Sequence, residues 1–199
     1  DLTLNNNLTI NAGRKLTVLP SRLLYVSGNV VNNAGVNGLI IKSSASQPNG
    51  SLIFFNAQSN PVQATVEMYS KASWNLNNAP NNRYNWQFMG IPVRNLVAVP
   101  TFTGAYVRRK IEHGTTISNH WVPLEDNSVM SPFVGYELVQ PAPKTYSIQG
   151  ELVNQSFNSG PLAVTPTALY PGQHLFSNPY TAAIDARQIV FGSSMEKTV

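Results

Sequence analysis

The chain has 199 residues, of which 42% are hydrophobic and only 11% are charged, so it can bury a core but takes much of its polarity from Asn, Ser and Thr. The net charge of +4 reflects few acids rather than many bases, and the basic cluster Arg108-Arg109-Lys110 lacks the spread of cations that nucleic-acid binding recruits. The absence of cysteine excludes disulfides and thiolate metal sites, and no apolar run approaches the ~18 residues of a membrane-spanning helix.

The first 56 residues carry pairs of apolar residues two positions apart, separated by turns that are rich in Asn and Gly. Alternation with a period of two predicts short strands with one face inward. The early pairs recur every eight residues, at Leu8, Leu16 and Leu24. Three such strands, about 24 residues, would make one coil of a parallel β-solenoid. The pairs are Leu2/Leu4, Leu8/Ile10, Leu16/Val18, Leu24/Val26, Leu39/Ile41 and Leu52/Phe54.

A run of antiparallel hairpins is the alternative for this ladder, because Asn37-Gly38 and Asn49-Gly50 are good type I′ turn signals. We predict the solenoid, with the asparagines as corner residues that tolerate left-handed backbone rather than as Ca²⁺ ligands. About two coils are too few to be stable alone. We therefore expect the ladder to stack on further coils or on the domain that follows it.

From residue 61 onward the pattern changes to eight to ten short strands with turn signals between them, which predicts a β-sandwich or jelly-roll. The chain is thus predicted to be all-β, with a β-solenoid-like ladder at 1–60 packed on a β-sandwich (jelly-roll-like) domain at 61–199. The later strands are predicted at 65–71, 84–89, 103–111, 121–124, 132–138, 145–153, 162–164, 175–176 and 189–191, and residues 96–99 are predicted to form either a short strand or a turn of helix.

Six motifs follow one another in this second part. They are Trp86 to Pro92 (Trp-x-Phe-x-x-x-Pro), Tyr106 to Arg108, Trp121, Phe133 to Tyr136, Tyr146 to Leu152, and a closing block from Leu175 to Asp185. Their order resembles a β-sandwich module that is common in large secreted and surface proteins of Bacteroidetes-type bacteria. Such proteins often carry solenoid-like strands ahead of this module and a type IX secretion sorting domain.

The closing signature of that module is approximately Gly-Trp-Asn-Leu-x-Gly-Asn-Pro-Tyr-Pro-x-x-Ile-Asp. Asn178, Pro179, Tyr180, Ile184 and Asp185 match it, whereas Gln173, His174, Ser177 and Thr181 depart from it. The resemblance implies a secreted or cell-surface protein of a Gram-negative bacterium, neighbouring domains in a longer chain, and an accessory or adhesive role. It implies no known catalytic activity.

Catalytic and metal-binding chemistry is not predicted. His113, His120 and His174 do not pair at metal-ligand spacing, and there is no nucleophile elbow and no glycine-rich phosphate loop. The carboxylates lie at turns or alternate outward on strands. We therefore predict a protein that is not an enzyme and needs neither cofactor nor metal.

Aromatic side chains are the remaining candidates for binding, since sugar C–H faces pack on aromatic rings. Trp74, in an Asn-rich loop, and the adjacent pair His120 and Trp121 are the predicted ligand-binding residues. Trp86 and Phe88, with Tyr136, are predicted to lie in the sandwich core. A structural signature role is predicted for Trp86, Pro92, Asn178, Pro179, Tyr180 and Asp185, in which Asn178 closes a loop and Asp185 caps a turn.

Three functional hypotheses follow. The first is a non-catalytic surface module that acts in adhesion or assembly and has other surface proteins as partners. The second is a carbohydrate-binding module that uses exposed aromatics. The third, a fragment of a solenoid polysaccharide enzyme, is disfavoured because no acid lies between Leu2 and Phe55.

Overall fold

The computed structural model describes residues 1–57, 60–75, 83–193 and 195. These residues form an all-β fold, as the sequence predicts, with a four-residue helical turn (α1, Ala98–Thr101) and 3-10 turns at Gly35–Asn37 and Ala186–Gln188. The strands are β1 (Leu2–Leu4), β2 (Leu8–Ile10), β3 (Leu16–Val18), β4 (Leu23–Val26), β5 (Val30–Asn32), β6 (Leu39–Ile41), β7 (Ser51–Ile53), β8 (Gln63–Ser70), β9 (Ser73–Asn75), β10 (Arg83–Asn85), β11 (Gln87–Met89), β12 (Leu96–Val97), β13 (Tyr106–Lys110), β14 (Trp121–Pro123), β15 (Val129–Met130), β16 (Tyr136–Val139) and β17 (Lys144–Glu151).

The first seven strands form a parallel solenoid. β1 pairs with β4 and β4 with β7, while β2 pairs with β5 and β3 with β6, and every one of these pairings is parallel. Leu2 lies opposite Leu24, so one coil contains three strands and advances the chain by 22 residues. Parallel pairing at this spacing confirms the solenoid and excludes the hairpin alternative.

One solenoid strand, β5, is missing from the predicted ladder. Val30 is fully buried, but the second apolar position of its pair is occupied by Asn32. The Asn32 Nδ2 donates to the carbonyl oxygens of Gly35 at 2.8 Å and Gln63 at 2.6 Å. An inward-facing amide with two hydrogen-bond partners therefore replaces an apolar residue, and for this reason the spacing of apolar residues does not predict β5.

The solenoid continues directly into the second part of the chain. β6 pairs in parallel with β8, and β8 pairs antiparallel with β17 over eight residues. The resulting sheet, in the order β17-β8-β6-β3, contains strands from both sides of residue 60. The division at residue 60 stays a prediction.

A second four-stranded sheet, in the order β11-β16-β13-β14, is antiparallel throughout. Its inner face carries Met89, Val107, Tyr136 and Leu138, all at most 6% exposed. These side chains belong to one apolar cluster that also includes Ile148 of β17 and the inward residues of the solenoid. One continuous core therefore links the solenoid to this sheet.

The segment 154–193, which we call the strap, is largely irregular. The strands predicted at 162–164, 175–176 and 189–191 are wrong, since the strap contributes one isolated bridge, between Phe176 and Val134, and the second 3-10 turn. Single hydrogen bonds hold it instead, such as Gly135 N to Leu175 O at 3.0 Å. The apolar residues of the strap pack without forming the paired hydrogen bonds of a sheet, so a short apolar run is not sufficient to predict a strand here.

The Asn178 block makes local closing bonds within the strap. Asn178 Oδ1 accepts from Tyr180 N at 2.9 Å and its Nδ2 donates to Ala182 O at 2.8 Å, while Pro179 is buried. Tyr180 Oη donates to Gln155 O at 2.6 Å. Asp185 accepts from Arg187 N at 3.0 Å at the start of the final 3-10 turn.

The two proline-containing motifs of the sequence meet at Gly90, which follows β11. A Cβ at Gly90 would lie 2.2 Å from Ser177 Oγ and 2.4 Å from Ser177 Cβ. Gly90→Ala is therefore expected to lower the free energy of unfolding by about 1–3 kcal/mol, because the strap must shift. Urea denaturation measures the effect.

Two further variants make the Gly90 test specific. Gly192→Ala is the matched control, since a Cβ there meets only Met195 Sδ, at 3.9 Å, and should change little. Adding Ser177→Gly removes the obstructing atoms, so the double variant should recover part of the lost stability. Equal losses at Gly90 and Gly192 would contradict the close packing of the strap.

Candidate functional site

Aromatic side chains and one arginine cover the outer face of the second sheet. Side chains alternate along a strand, so burial of Met89 and Val107 turns Phe88, Tyr106 and Arg108 outward. The rings form contacts in series, with Tyr84 stacked on Trp86, Trp86 beside Tyr106, and Phe88 stacked on Trp121. We call this surface the aromatic face, and it consists of Tyr84, Trp86, Phe88, Tyr106, Arg108, Trp121 and Glu137.

An ion pair lies at the centre of the aromatic face. Arg108 and Glu137 are directly opposite each other on β13 and β16, and Arg108 Nε bonds Glu137 Oε1. The guanidinium carbon lies 4.1 Å from the Trp86 ring centroid and 5.3 Å from that of Trp121, within the range of cation–π attraction. The carboxylate thus orients the guanidinium between two indole rings.

Burial makes this ion pair costly to disturb. Glu137 is only 4% exposed. Desolvation raises the pKa of the Glu137 carboxyl above its ordinary value, and the hydrogen bond and positive charge of Arg108 only partly oppose that rise. Burial thus disfavours the charged form of Glu137, and the ion pair with Arg108 offsets part of that cost.

Phe88 is where the sequence prediction of the core fails. Tyr136 is buried as expected, at 2% exposed, but Phe88 is 65% exposed and Trp86 is half-buried. The reason is register, because Met89 takes the inward position of β11 and positions 86 and 88 then face outward. The sequence predicts that these aromatic residues are important to the sheet, but it does not predict on which face of the sheet their side chains lie.

A shallow groove of about 640 Å³ opens beside Trp86. Its walls are the loop at 44–48 and side chains at the ends of β8, β10 and β11. Many of the lining residues are polar, among them Ser44, Ser46, Gln47, Asn85 and Gln87. Gln87 is partly committed to the fold, since its Oε1 accepts from Lys71 N at 2.7 Å.

The predicted ligand-binding residues are distributed around the aromatic face. Trp121 lies on it, half-buried between Phe88 and Arg108. His120 points away from solvent, at 7% exposed, with Nδ1 3.0 Å from Thr116 O. Trp74 is half-buried on β9, opposite Tyr84, and the Asn-rich stretch 76–82 lies outside the described residues. Their role in binding stays a prediction.

At the end of β13, Glu112 fastens the strap to the second sheet. Its two carboxylate oxygens accept from Thr165 N at 2.7 Å, Thr165 Oγ1 at 2.7 Å and Gly172 N at 2.8 Å. Lys110 lies nearby, with its Nζ 5.4 Å from the Tyr170 ring centroid. A cavity of about 230 Å³ lies alongside. We regard this cluster as a clasp on the strap.

The Glu112 clasp is expected to loosen in acid. Hydrogen bonds from Gly172 N and from Thr165 lower the pKa of Glu112 to about 2 from an ordinary value of 4.5. A carboxyl with a depressed folded pKa stabilises the fold fully above its unfolded pKa, and that contribution is lost as the pH falls from about 4.5 towards 2. The protection factors of the Thr165 and Gly172 amides, which correct exchange for its intrinsic pH dependence, should therefore fall over this interval.

Substitution separates the clasp from general acid unfolding. Glu112→Gln keeps the shape but has a neutral, weaker acceptor and no carboxyl that titrates, so protection of the Gly172 amide should be lower already at neutral pH and should not fall further in acid. Glu125→Gln, at an exposed turn, is the control and should behave as the parent. An acid transition that is identical in the parent and in Glu112→Gln would contradict this role.

Within 1–57, 60–75, 83–193 and 195, no group of three His, Cys, Asp or Glu side chains could hold a metal ion. No helix in that part of the chain is long and apolar enough to cross a membrane.

Comparison with known proteins gives one informative match. Over an alignment of 212 positions the chain is 32% identical to the minor fimbrium subunit Mfa5 of Porphyromonas gingivalis. The alignment covers 97% of this chain but only 16% of that protein. No family model and no solved structure matches the chain. The match agrees with the resemblance to surface proteins of Bacteroidetes, while the Asn-Pro-Tyr signature of that module stays a prediction.

Proposed function

We propose that the chain is a non-catalytic module of a secreted or cell-surface protein of a Gram-negative bacterium, with a structural or adhesive role. The observation that carries this proposal is the 32% identity, along nearly the whole chain, to a fimbrium subunit. The continuous core from the solenoid into the second sheet supports it, since such a body is suited to hold a binding face at a fixed position. Export of the type IX class and contacts with other surface proteins belong to the same proposal.

Surface labelling and deletion test this role. Antibodies raised against residues 1–199 should label intact cells, and protease added to intact cells should remove the signal. Deleting the corresponding codons in frame should reduce attachment of the cells or incorporation of the parent protein into surface structures. A signal confined to lysed cells, or a deletion without effect on either readout, would reject the proposal.

Carbohydrate binding is a second candidate function, and the exposure of the aromatic face favours it. Phe88 is 65% exposed and Tyr106 is 42% exposed, and each is in ring contact with a tryptophan. Sugar C–H groups can pack on the negative faces of such rings. The polar groove next to Trp86 would supply hydrogen-bond partners for hydroxyl groups.

A glycan array with the purified chain tests the second candidate. Binding should be detectable at about 1 mM or tighter and should weaken about tenfold or more in Phe88→Ala and in Trp121→Ala. Phe55→Ala is a matched control, because Phe55 is 62% exposed but lies on the solenoid. No binding at millimolar concentration, or equal losses in all three variants, would exclude the aromatic face as a sugar platform.

A further inference from the structure

The two ends of the solenoid differ in how their backbone edges are covered. At the downstream end, β17 pairs with β8, and Thr181 Oγ1 of the strap donates to Leu52 O of β7 at 2.7 Å. The side chain of Asn56 covers β5, accepting from Val30 N and donating to Val30 O, each at 2.6 Å. Three different groups thus occupy the three edges at this end.

Among the described residues, no such group covers the upstream end, which is formed by β1, β2 and β3. Each of these strands pairs on one side only in the part of the chain that the structure describes. We call these three unpaired edges the leading edge. Leu2 is 53% exposed although its partner Leu24 in the next coil is 4% exposed. Leu8 and Leu16 are likewise half-buried, whereas Val30 and Leu39, their counterparts one coil later, are fully buried.

We propose that the leading edge receives a further coil of the same solenoid, supplied by the same polypeptide, with strands parallel to β1, β2 and β3. Such a coil would cover the leucines as the first coil covers the second, and would pair the free backbone groups. This inference goes beyond the proposed function, because it concerns how the module is joined to other coils and not what the module binds.

Side-chain bonds between coils give the stack a direction. Asn7 Oδ1 of the first coil accepts from Asn29 N of the second, and Asp1 Oδ1 accepts from Leu23 N, each at 2.8 Å. An earlier coil in the same orientation can repeat these bonds onto the first coil. A second copy of this chain cannot stack head to tail, because Asn56, Thr181 and β17 close its downstream end. It could only meet the leading edge head to head, where the bonds do not repeat.

A duplication experiment tests the proposal with the chain itself. Leu2 pairs with Leu24 and Leu8 with Val30, a separation of 22 residues in each case. A second copy of residues 1–22 placed directly before Asp1 should therefore fold as an added coil. We expect the slow-exchanging amides to extend through β1, β2 and β3, with exchange at least about tenfold slower there, and Tm to rise by about 2–4 °C or more.

The control is the same extension with serine in place of the leucines copied from positions 2, 4, 8 and 16, which should add neither protection nor stability. An unprotected leucine-containing extension would overturn the proposal. Sedimentation velocity supplies the other decisive outcome. A dimer of the original chain that Thr9→Pro in β2 dissociates would make a second copy the occupant and would also overturn it. A monomeric original chain together with a folded extension supports the further coil.

Discussion

Replacing Asn56 by leucine is expected to lower the free energy of unfolding by about 2–5 kcal/mol. The Asn56 side chain is 6% exposed and holds both backbone groups of Val30, while its Nδ2 also reaches Asn60 O at 3.1 Å. Leucine has similar volume but no hydrogen-bonding atoms, so the N–H and C=O of Val30 would be buried without partners. Urea denaturation and thermal melting measure the loss.

Two comparisons identify the cause of that loss. Asn56→Asp keeps an acceptor for Val30 N but loses the donor and adds a buried charge, so it should also be clearly destabilised. Asn33→Ala, at an exposed position next to β5, should stay within about 0.5 kcal/mol of the parent. If Asn56→Leu matched Asn33→Ala, the amide would not be closing the solenoid at β5.

The solenoid could be predicted because its information is local and repeated. Most strands are indicated by two apolar residues that lie two positions apart, and the corners between strands are indicated by Asn and Gly. Asn32 and Asn56 could not be predicted in this way. Asn32 takes the place of an apolar residue and Asn56 takes the place of a neighbouring strand, and each does so through hydrogen bonds to residues far along the chain. Only the folded coil shows that Asn56 lies beside Val30, 26 residues away.

The strap and the aromatic face mark the limit of pattern-based prediction for different reasons. Apolar runs such as Ile189 to Phe191 resemble strands, but a strand also needs an edge to pair with, and the sequence does not say whether one is free. Phe88 lies on β11, as the sequence predicts, whereas Trp86 lies between β10 and β11, and the prediction that both face the core is wrong. A shift of one residue in register exchanges the two faces of a strand, and Met89 decides it.

Replacing Arg108 by methionine is expected to cost about 3–5 kcal/mol, because it leaves the buried Glu137 carboxylate without its partner. Methionine retains most of the apolar stem that packs between Trp86 and Trp121, so the loss reports the charge more than the packing. Arg109→Met is the matched control on the same strand, since Arg109 is exposed and alternates to the opposite face. It should change stability by no more than about 0.5 kcal/mol.

The pH dependence of Arg108→Met distinguishes charge burial from lost contacts. Without the guanidinium, the pKa of Glu137, already raised by desolvation, should rise further. A carboxyl with a raised folded pKa favours the fold below its unfolded pKa, and this benefit disappears as the pH rises through the folded value. The deficit of Arg108→Met should therefore be smallest in acid and grow towards neutral pH.

A double variant completes the argument. Arg108→Met combined with Glu137→Leu removes the unpaired charge and should recover most of the stability, because an apolar pair often replaces a buried ion pair without loss. If the aromatic face binds a ligand through its rings alone, this double variant should also retain binding, while Phe88→Ala should not. A loss of stability that is independent of pH and persists in the double variant would instead show that Arg108 acts through packing. The ion pair would then no longer explain the positions of the two indole rings.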